Sequence, residues 1–566
     1  MTGIKPRPIS TSALRASLFG NVPQSTSDNT SAPHQPEQIQ EPDASAPHSG
    51  KETRVLQESG SENATESEYV DPEGAIAERA TPVFELVTET PPTPGNLGPT
   101  YEAFQGQDGQ AYIGKVNASF RFAHRVGSRS ANAILTGLAA SRRSPFKRGE
   151  LAERNDAIKA WVEQYGEQRN VWYRVAPIHP GPGIELDLIN AQETRIRITA
   201  GKVTPVTLGS DIIFYRTPNA RAIVLPAAVG NLDRLKRYVN LHPKDYLLFV
   251  AWLSYTLAHP KVSTSKYLIL VLQGGQGSGK TSLCNNVILR LIDPSAIGVQ
   301  RMPVKETDLA IAVQNAHVVA FDNVRGFKSA VSDLFCIVST GGQVVSRKLY
   351  TDAEQSVLQL HGALVLNGIH SFVTQSDLAQ RCLTLQLLPI PDDNRQSDAD
   401  MLRNLEADLP AIQRGLFDLI AAVFEHLPTV KVEKTERMID FVSWLAAMEV
   451  AHGVPPGVYQ LEYSEVLQQG QLDSLLDNLL ASSVLSFADE QEDGVWSGTP
   501  TKLLELLSEP LPLSAIRSKE WPSNPIALAK RLVGLEASLL TQGVRIEHTR
   551  GKHRIITITK QGGRDE

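Results

Sequence analysis

The segment Gly274-Gly-Gln-Gly-Ser-Gly-Lys280-Thr281 fits the spacing G-x-x-x-x-G-K-[ST], and each residue type in it has a chemical reason. Glycines at Gly274, Gly275, Gly277 and Gly279, with Ser278 among them, let successive backbone N–H groups turn toward phosphate oxygens. Lys280 brings a point charge to the β- and γ-phosphates, and the Thr281 hydroxyl can ligate Mg²⁺. The flanks agree. An apolar run, Tyr267-Leu-Ile-Leu-Val-Leu-Gln, precedes the loop, and a helix is expected from Ser282 to Leu291, its N-terminus adding a field that favours anions. The chemistry is the binding of a nucleoside triphosphate, ATP with Mg²⁺.

Such a loop needs an acid at the end of a neighbouring strand. His317-Val-Val-Ala-Phe-Asp322 supplies one, and Asp322 is the expected metal acid. The next residue, Asn323, cannot accept a proton, although its amide could orient a water as a glutamine does in some GTPases. Glu306, Asp308 and Asp333 are the other candidates for a general base, and the choice stays open.

Three further features follow. Thr340-Gly-Gly-Gln-Val-Val-Ser-Arg347-Lys348-Leu-Tyr350-Thr-Asp352 reads as a Gly-rich basic hairpin, able to grip a nucleic-acid backbone and stack Tyr350 on a base, or equally a solvated surface hairpin. Ala363-Leu-Val-Leu-Asn367 is an apolar strand ending in an amide that could sense the γ-phosphate. Arg381 precedes another strand, where it could reach a neighbouring subunit's ATP or simply pair with Asp377.

In this order and spacing the features resemble superfamily 3 helicases of the AAA+ class. The similarity is greatest to the helicase half of phage- and plasmid-type primase-helicases and to the stand-alone ATPases of bacterial mobile elements. Phe321-Asp-Asn-Val, Ser339-Thr-Gly-Gly, Arg347-Lys-Leu-Tyr-Thr-Asp and Val365-Leu-Asn-Gly-Ile carry it. It covers residues 170–390 well, extends less clearly to Glu436-Arg-Met-Ile-Asp-Phe-Val-Ser-Trp, and leaves out residues 1–100. The resemblance implies phosphate and metal contacts for Lys280 and Thr281, Mg²⁺ on Asp322, a sensor at Asn367 and an intersubunit finger at Arg381. It also implies a homohexameric ring whose pore, lined by Arg347 and Lys348, pulls one DNA strand. Asn323 departs from the acid found in many relatives, which bears on turnover rather than on binding.

These residues need elements to position them. From Lys266 to Leu388 apolar β-type runs alternate with helical segments, the pattern of an α/β unit around a mainly parallel sheet. Upstream, a helix is expected over Glu150–Gly166, short β-type runs between Val171 and Leu225 suggest a small antiparallel sheet, and Leu232–Leu257 reads as one buried helix. Residues 399–450 read as helical. Pro500 and Asn524 open two C-terminal helices, and two β-type runs follow, joined by Thr549-Arg550-Gly551-Lys552. This resembles a winged-helix domain, with Lys530 and Arg531 on the second helix and Arg550 and Lys552 on the wing as DNA contacts, though such domains also bind proteins.

The expected organisation is therefore a disordered acidic tail (1–100), a small α+β region with a basic patch (101–235), a P-loop AAA+ type ATPase core (236–390), a helical region (391–475) and a winged-helix-like domain (476–566). The net charge of −7 does not exclude nucleic acid, because it is localised. Residues 1–100 hold 6 Lys+Arg against 14 Asp+Glu and 13 of the 35 prolines, too polar to offset their ordering entropy; a short apolar stretch at Pro82–Val87 is a chance patch or a docking peptide. Residues 101–148 carry 8 Lys+Arg against 2 acids, and residues 517–566 carry 10 against 5. Three cysteines exclude a disulfide framework, and no Cys-x-x-Cys suggests a zinc site. No apolar run reaches the roughly 18–20 residues that span a bilayer, so a soluble cytoplasmic protein is expected. The expected activity is ATP-dependent DNA translocation or unwinding by a ring in mobile-element or phage-type replication. A single strand would lie in the pore and duplex at the winged helix, with a separate primase or replication protein as a further partner. The rival is an ATP-switched regulator, acting in replication initiation or defence, that binds DNA or protein without unwinding. A small-molecule kinase would need a substrate pocket and lid that the sequence does not display.

Overall fold

In the computed structural model the glycine-rich loop sits at the end of a central strand. That strand, Ile269–Gln273, belongs to a parallel sheet with the order Val318–Phe321, Ala363–Gly368, Ile269–Gln273, Cys382–Gln386. The structure describes residues 95–560 apart from 96, 117, 119, 208, 304, 348–354, 392–396, 433–435, 492 and 550–553. All of them fall in one of the two units into which the chain divides, Val87–Glu566. The acidic tail as far as residue 94, with the Pro82–Val87 stretch, lies outside the described residues.

The sheet strands are apolar on both sides because both faces are covered, as parallel sheets require. Leu270 and Leu272 enter one core with the helices Pro243–Ala258, Asp398–His426 and Ile439–Ala451. Ile269 and Val271 enter the other, with the helices Glu306–Gln314 and Ser329–Thr340. Two buried tryptophans fix the first core: Trp252 Nε1 donates to the Leu268 carbonyl at 2.7 Å, and Trp444 Nε1 donates to Ser254 Oγ at 3.0 Å.

The expected single helix over Leu232–Leu257 is two elements. A 3₁₀ turn occupies Leu232–Tyr238, extended residues follow, and the helix starts afresh with Pro243 in its first turn. Proline's fixed φ and missing N–H suit a helix start and not its interior, which is why the break falls there.

The upstream β-type runs form two sheets rather than one antiparallel sheet. Val175–Pro177, Gly183–Asp187, Arg195–Thr199 and Lys202–Pro205 make an antiparallel meander. Val171–Tyr173 and Ser210–Tyr215 instead join a mixed sheet with Tyr101–Gly106, Ala111–Lys115 and Phe120–Arg125, and Ser210–Tyr215 runs parallel to both its neighbours. The run Val171–Ala176 is split between the two sheets at Arg174, whose φ of 61° turns the chain from one to the other. Such long-range parallel pairing leaves no local turn signal for a sequence to display. Order also begins earlier than Tyr101, since Leu97 is already buried against Ile113, Leu135 and Val162.

At the other end, the helices Leu479–Asp489, Pro500–Ser508 and Pro525–Thr541 pack on a three-stranded antiparallel sheet, Val495–Gly498, Ile555–Lys560, Val544–Thr549, around a core of their own. Asn524 caps the last helix by accepting from the Ala527 N–H at 2.9 Å. The molecule is thus mixed α/β. Among the described residues no helix is long and apolar enough to cross a membrane, and the three cysteines are free and buried.

Candidate functional site

The carboxyl ends of three adjacent strands bring the sequence-predicted residues together. The registers set Leu272 beside Asn367 and Phe321 beside Leu366, so the loop, Asn367 and Asp322 emerge along one sheet edge. Crevices outside such strand ends are where open parallel sheets bind ligands.

The loop turns through left-handed backbone at Gly277 (φ 79°) and Gly279 (φ 80°), a region that side-chain-bearing residues enter only at a cost. It then starts a helix that is α over Lys280–Ser282, π-wound over Leu283–Ile288 and α again over Leu289–Ile292. Lys280 folds back over its own loop. Its Nζ donates to the Gly274 and Gly275 carbonyls, both at 2.8 Å, and to Ser278 Oγ at 3.2 Å. Partial burial lowers the lysine's pKa and Asp322 opposes the shift.

Thr281 Oγ1 meets both Asp322 oxygens, at 3.0 and 3.2 Å, across 41 residues of sequence. A hydroxyl facing a carboxylate at a helix start is a hard-oxygen pair of the kind Mg²⁺ takes when substrate phosphates and waters complete its shell. The residues therefore fit a magnesium nucleotide. Among the described residues no group of three or more His, Cys, Asp or Glu gathers to form an all-protein metal cage.

Asn367, 1% exposed, is held from two sides. Its Oδ1 accepts the Asn323 N–H at 3.0 Å, and its Nδ2 points to Cys284 Sγ at 3.5 Å. Burial pushes the Cys284 thiol up to about 12, so it stays protonated and unreactive. Asn367 thereby ties the residue after Asp322 to the loop helix. Asn323 itself has φ 54°, a left-handed conformation that asparagine tolerates better than most residues. A glutamate there would be strained, which gives a backbone reason for a short side chain in place of a glutamate.

Arg381 stands immediately before the Cys382–Gln386 strand, mostly buried, with its Nε 3.5 Å from Asp377. Asp377 also binds Arg437. Burial would raise the Asp377 pKa, but the Cys336 thiol and the two guanidiniums outweigh it and hold the carboxyl below its usual value. Glu306 and Asp308 lie in the first turn of the Glu306–Gln314 helix and Asp333 on the Ser329–Thr340 helix.

The basic hairpin is formed by Gly342–Arg347 and Gln355–Leu360. Lys348 and Tyr350 at its tip, and the Arg347 side chain, lie outside the described residues, as do Arg550 and Lys552. Lys530 is exposed on the Pro525–Thr541 helix. Arg531 donates to the Lys519 and Glu520 carbonyls, joining that helix to the preceding loop.

Two features of the fold around the site had no motif to announce them. Asp293, at the end of the loop helix, is buried with Arg174 Nε at 2.6 Å and Tyr173 OH at 3.1 Å, and it accepts the backbone N–H groups of His317 (2.5 Å) and Val318 (3.2 Å). One carboxylate thus joins the helix carrying Lys280, the strand carrying Asp322 and the upstream sheets. The only hint was an acid closing an apolar helix before Pro294. Beside the loop strand lies a cavity of about 310 Å³ lined by Asp245, Gln273, Thr384, Gln386 and Gln469 among others. Gln273, polar at the end of an otherwise apolar strand, was its only trace in the sequence.

Residues 232–463 match the family model of the actinomycete integrative conjugative element replication protein, AICE RepA, and residues 480–565 match the AICE RepA C-terminal domain. Both describe a replication protein of a mobile element. Among solved structures, the apo A form of the NrS-1 C-terminal region is 13% identical, covering 82% of this chain and 96% of its own at a TM-score of 0.35. The active helicase Cch of SCCmec type IV is 8% identical, covering 81% and 94% at a TM-score of 0.41. The JCV helicase with a bound thiazolopyridine compound is 18% identical, covering 38% and 67% at a TM-score of 0.19. No curated protein matches the sequence.

Proposed function

We propose that this chain is a P-loop ATPase that drives DNA translocation or unwinding in the replication of a mobile element, acting as a ring. The observation that carries the reading is the meeting of Thr281 with Asp322 beside Lys280, on a chain whose central and C-terminal parts match a mobile-element replication protein. Gly274–Gly279 and Ser282 would cradle the triphosphate, Lys280 would neutralise the β- and γ-phosphates, and Thr281 with Asp322 would hold Mg²⁺. Bound Mg²⁺ supplies charge neutralisation on the transferring phosphoryl group.

Around that centre, Asn367 would report the γ-phosphate by releasing or keeping the Asn323 N–H. Arg381 would leave Asp377 to reach the ATP of a neighbouring subunit, which requires assembly, and a homohexamer is the assembly proposed. Arg347, Lys348 and Tyr350 would contact a single strand in the pore. The C-terminal helices and sheet would act as a winged helix on duplex DNA, through Lys530, Arg531, Arg550 and Lys552.

Asn323 favours a second reading, an ATP-switched regulator that assembles on DNA without unwinding it, because an amide cannot take a proton from water. A strand-displacement assay on forked DNA separates the two. The first reading expects ATP-dependent displacement that Lys280→Ala abolishes, whereas binding without displacement establishes the second.

A further inference from the structure

The connector between the helices Arg129–Ser141 and Glu150–Tyr165 is short, fixed and strongly basic. Phe146 packs against the core formed by Leu97, Leu135, Ile158 and Val162. The Arg143 and Ser144 N–H groups close on the Ala140 and Ala139 carbonyls at 3.0 Å, and the Lys147 N–H donates to Glu150 Oε2 at 2.8 Å. Around this anchored backbone Arg142, Arg143, Lys147 and Arg148 are all exposed.

None of these four makes an ion pair with an acid among the described residues. Elsewhere several arginines are held by carboxylates: Arg125 pairs with Asp108, Arg169 with Glu102 and Glu167, Arg216 with Asp187 and Arg414 with Asp418. A fifth cation, Arg154, lies close enough to Arg142 to feel its charge. Of the nearby acids, Glu150 is engaged by the Lys147 backbone and Glu153 is exposed. Arg143 also holds φ 55°, a conformation costly for a side chain of its type and kept only where the surroundings impose it.

We propose that this connector is a sequence-independent contact for the phosphodiester backbone of DNA, separate from the basic hairpin and the C-terminal module. Like charges fixed side by side repel in the free protein, and a polyanion relieves that repulsion. Guanidiniums suit the task because they bind phosphate oxygens through paired N–H groups, and an anchored backbone loses little entropy on binding. The inference rests on the reading above only in taking DNA as the polyanion.

The test uses the full chain with Arg143→Asn, Lys147→Gln and Arg148→Gln combined, changes that leave the left-handed residue tolerable and touch no phosphate-loop residue. Binding of a labelled random-sequence duplex is followed by anisotropy as salt is raised. Removing one cation from a phosphate lowers the slope of log affinity against log salt by about 0.9, so a fall of about 2–3 is expected. DNA-independent ATPase and the unfolding temperature should stay at the wild-type values, and Arg143→Lys with Arg148→Lys should keep the slope. An unchanged slope in the triple variant overturns the proposal, including the case in which the variant loses affinity for polyglutamate instead, which would assign the patch to an acidic protein segment. If the triple variant is unchanged while Lys280→Ala still loses ATPase, this inference alone has failed.

Discussion

Asp293→Ala removes a single carboxylate on which four donors converge from two other segments of the fold, Tyr173-Arg174 and His317-Val318. The residue and its partner Arg174 are both essentially buried, with the guanidinium Nε 2.6 Å from the carboxylate. Removing one member of a buried pair strands the other charge, at a cost of about 3–5 kcal/mol. That is a large share of the roughly 5–15 kcal/mol that holds a domain folded. Adding Arg174→Met takes away the stranded charge and leaves mainly the unmet N–H groups of His317 and Val318, at about 1–3 kcal/mol each. The double variant should therefore be more stable than the sum of the two single losses predicts, by at least about 1 kcal/mol. Urea unfolding followed by tryptophan fluorescence measures this, because Trp252 and Trp444 lie in the core that also holds Leu291, Ile292 and Val318. The strand carrying Asp322 loses an anchor as well, so half-saturating Mg²⁺ for ATPase should rise. Losses that simply add, or an Asp293→Ala cost below about 1 kcal/mol, would refute the claim that this carboxylate organises the site.

The site makes further predictions. Lys280→Ala should abolish ATP binding and hydrolysis, read by nucleotide fluorescence and phosphate release; retained turnover would remove the loop from the mechanism. Arg381→Ala should keep nucleotide binding and lose ATPase, and normal turnover by a diluted monomer would exclude an intersubunit role. Asn323→Asp keeps a residue tolerant of φ 54° while restoring a carboxylate, so turnover should rise, whereas Asn323→Glu should cost about 1 kcal/mol of stability in the same unfolding assay. Burial pushes the His259, His317 and His361 imidazoles down to about 4, so they stay neutral in the folded chain. The unfolded chain takes up those protons below its own pKa of about 6.5, so stability should fall as pH drops from about 7 toward 4, with the urea midpoint moving down. A midpoint that rises on acidification would contradict the neutral, buried assignment.

How much of this was legible in the sequence differs by element. The loop and the strands around it could be read because their information is local: glycines, a lysine and a threonine at fixed spacing, and apolar runs long enough for strands buried on both faces. The C-terminal helices announced themselves through Pro500 and Asn524, residues whose stereochemistry acts within one turn. Strand pairing upstream was not legible, because Ser210–Tyr215 finds parallel partners far away in sequence. The continuous apolar pattern of Leu232–Leu257 hid a break that only packing and Pro243 together impose.

The sequence by itself determined which groups are available to hold a triphosphate, where the charge lies, and that the chain folds around a parallel sheet. The tertiary structure alone decided that Thr281 meets Asp322, that Asn367 holds the left-handed Asn323, and that Asp293 joins the loop helix to the strand carrying the acid. Those contacts span 24 to 44 residues of chain. Residue types and spacing specify local conformation, but a hydrogen bond between distant segments exists only once burial has fixed both in one register.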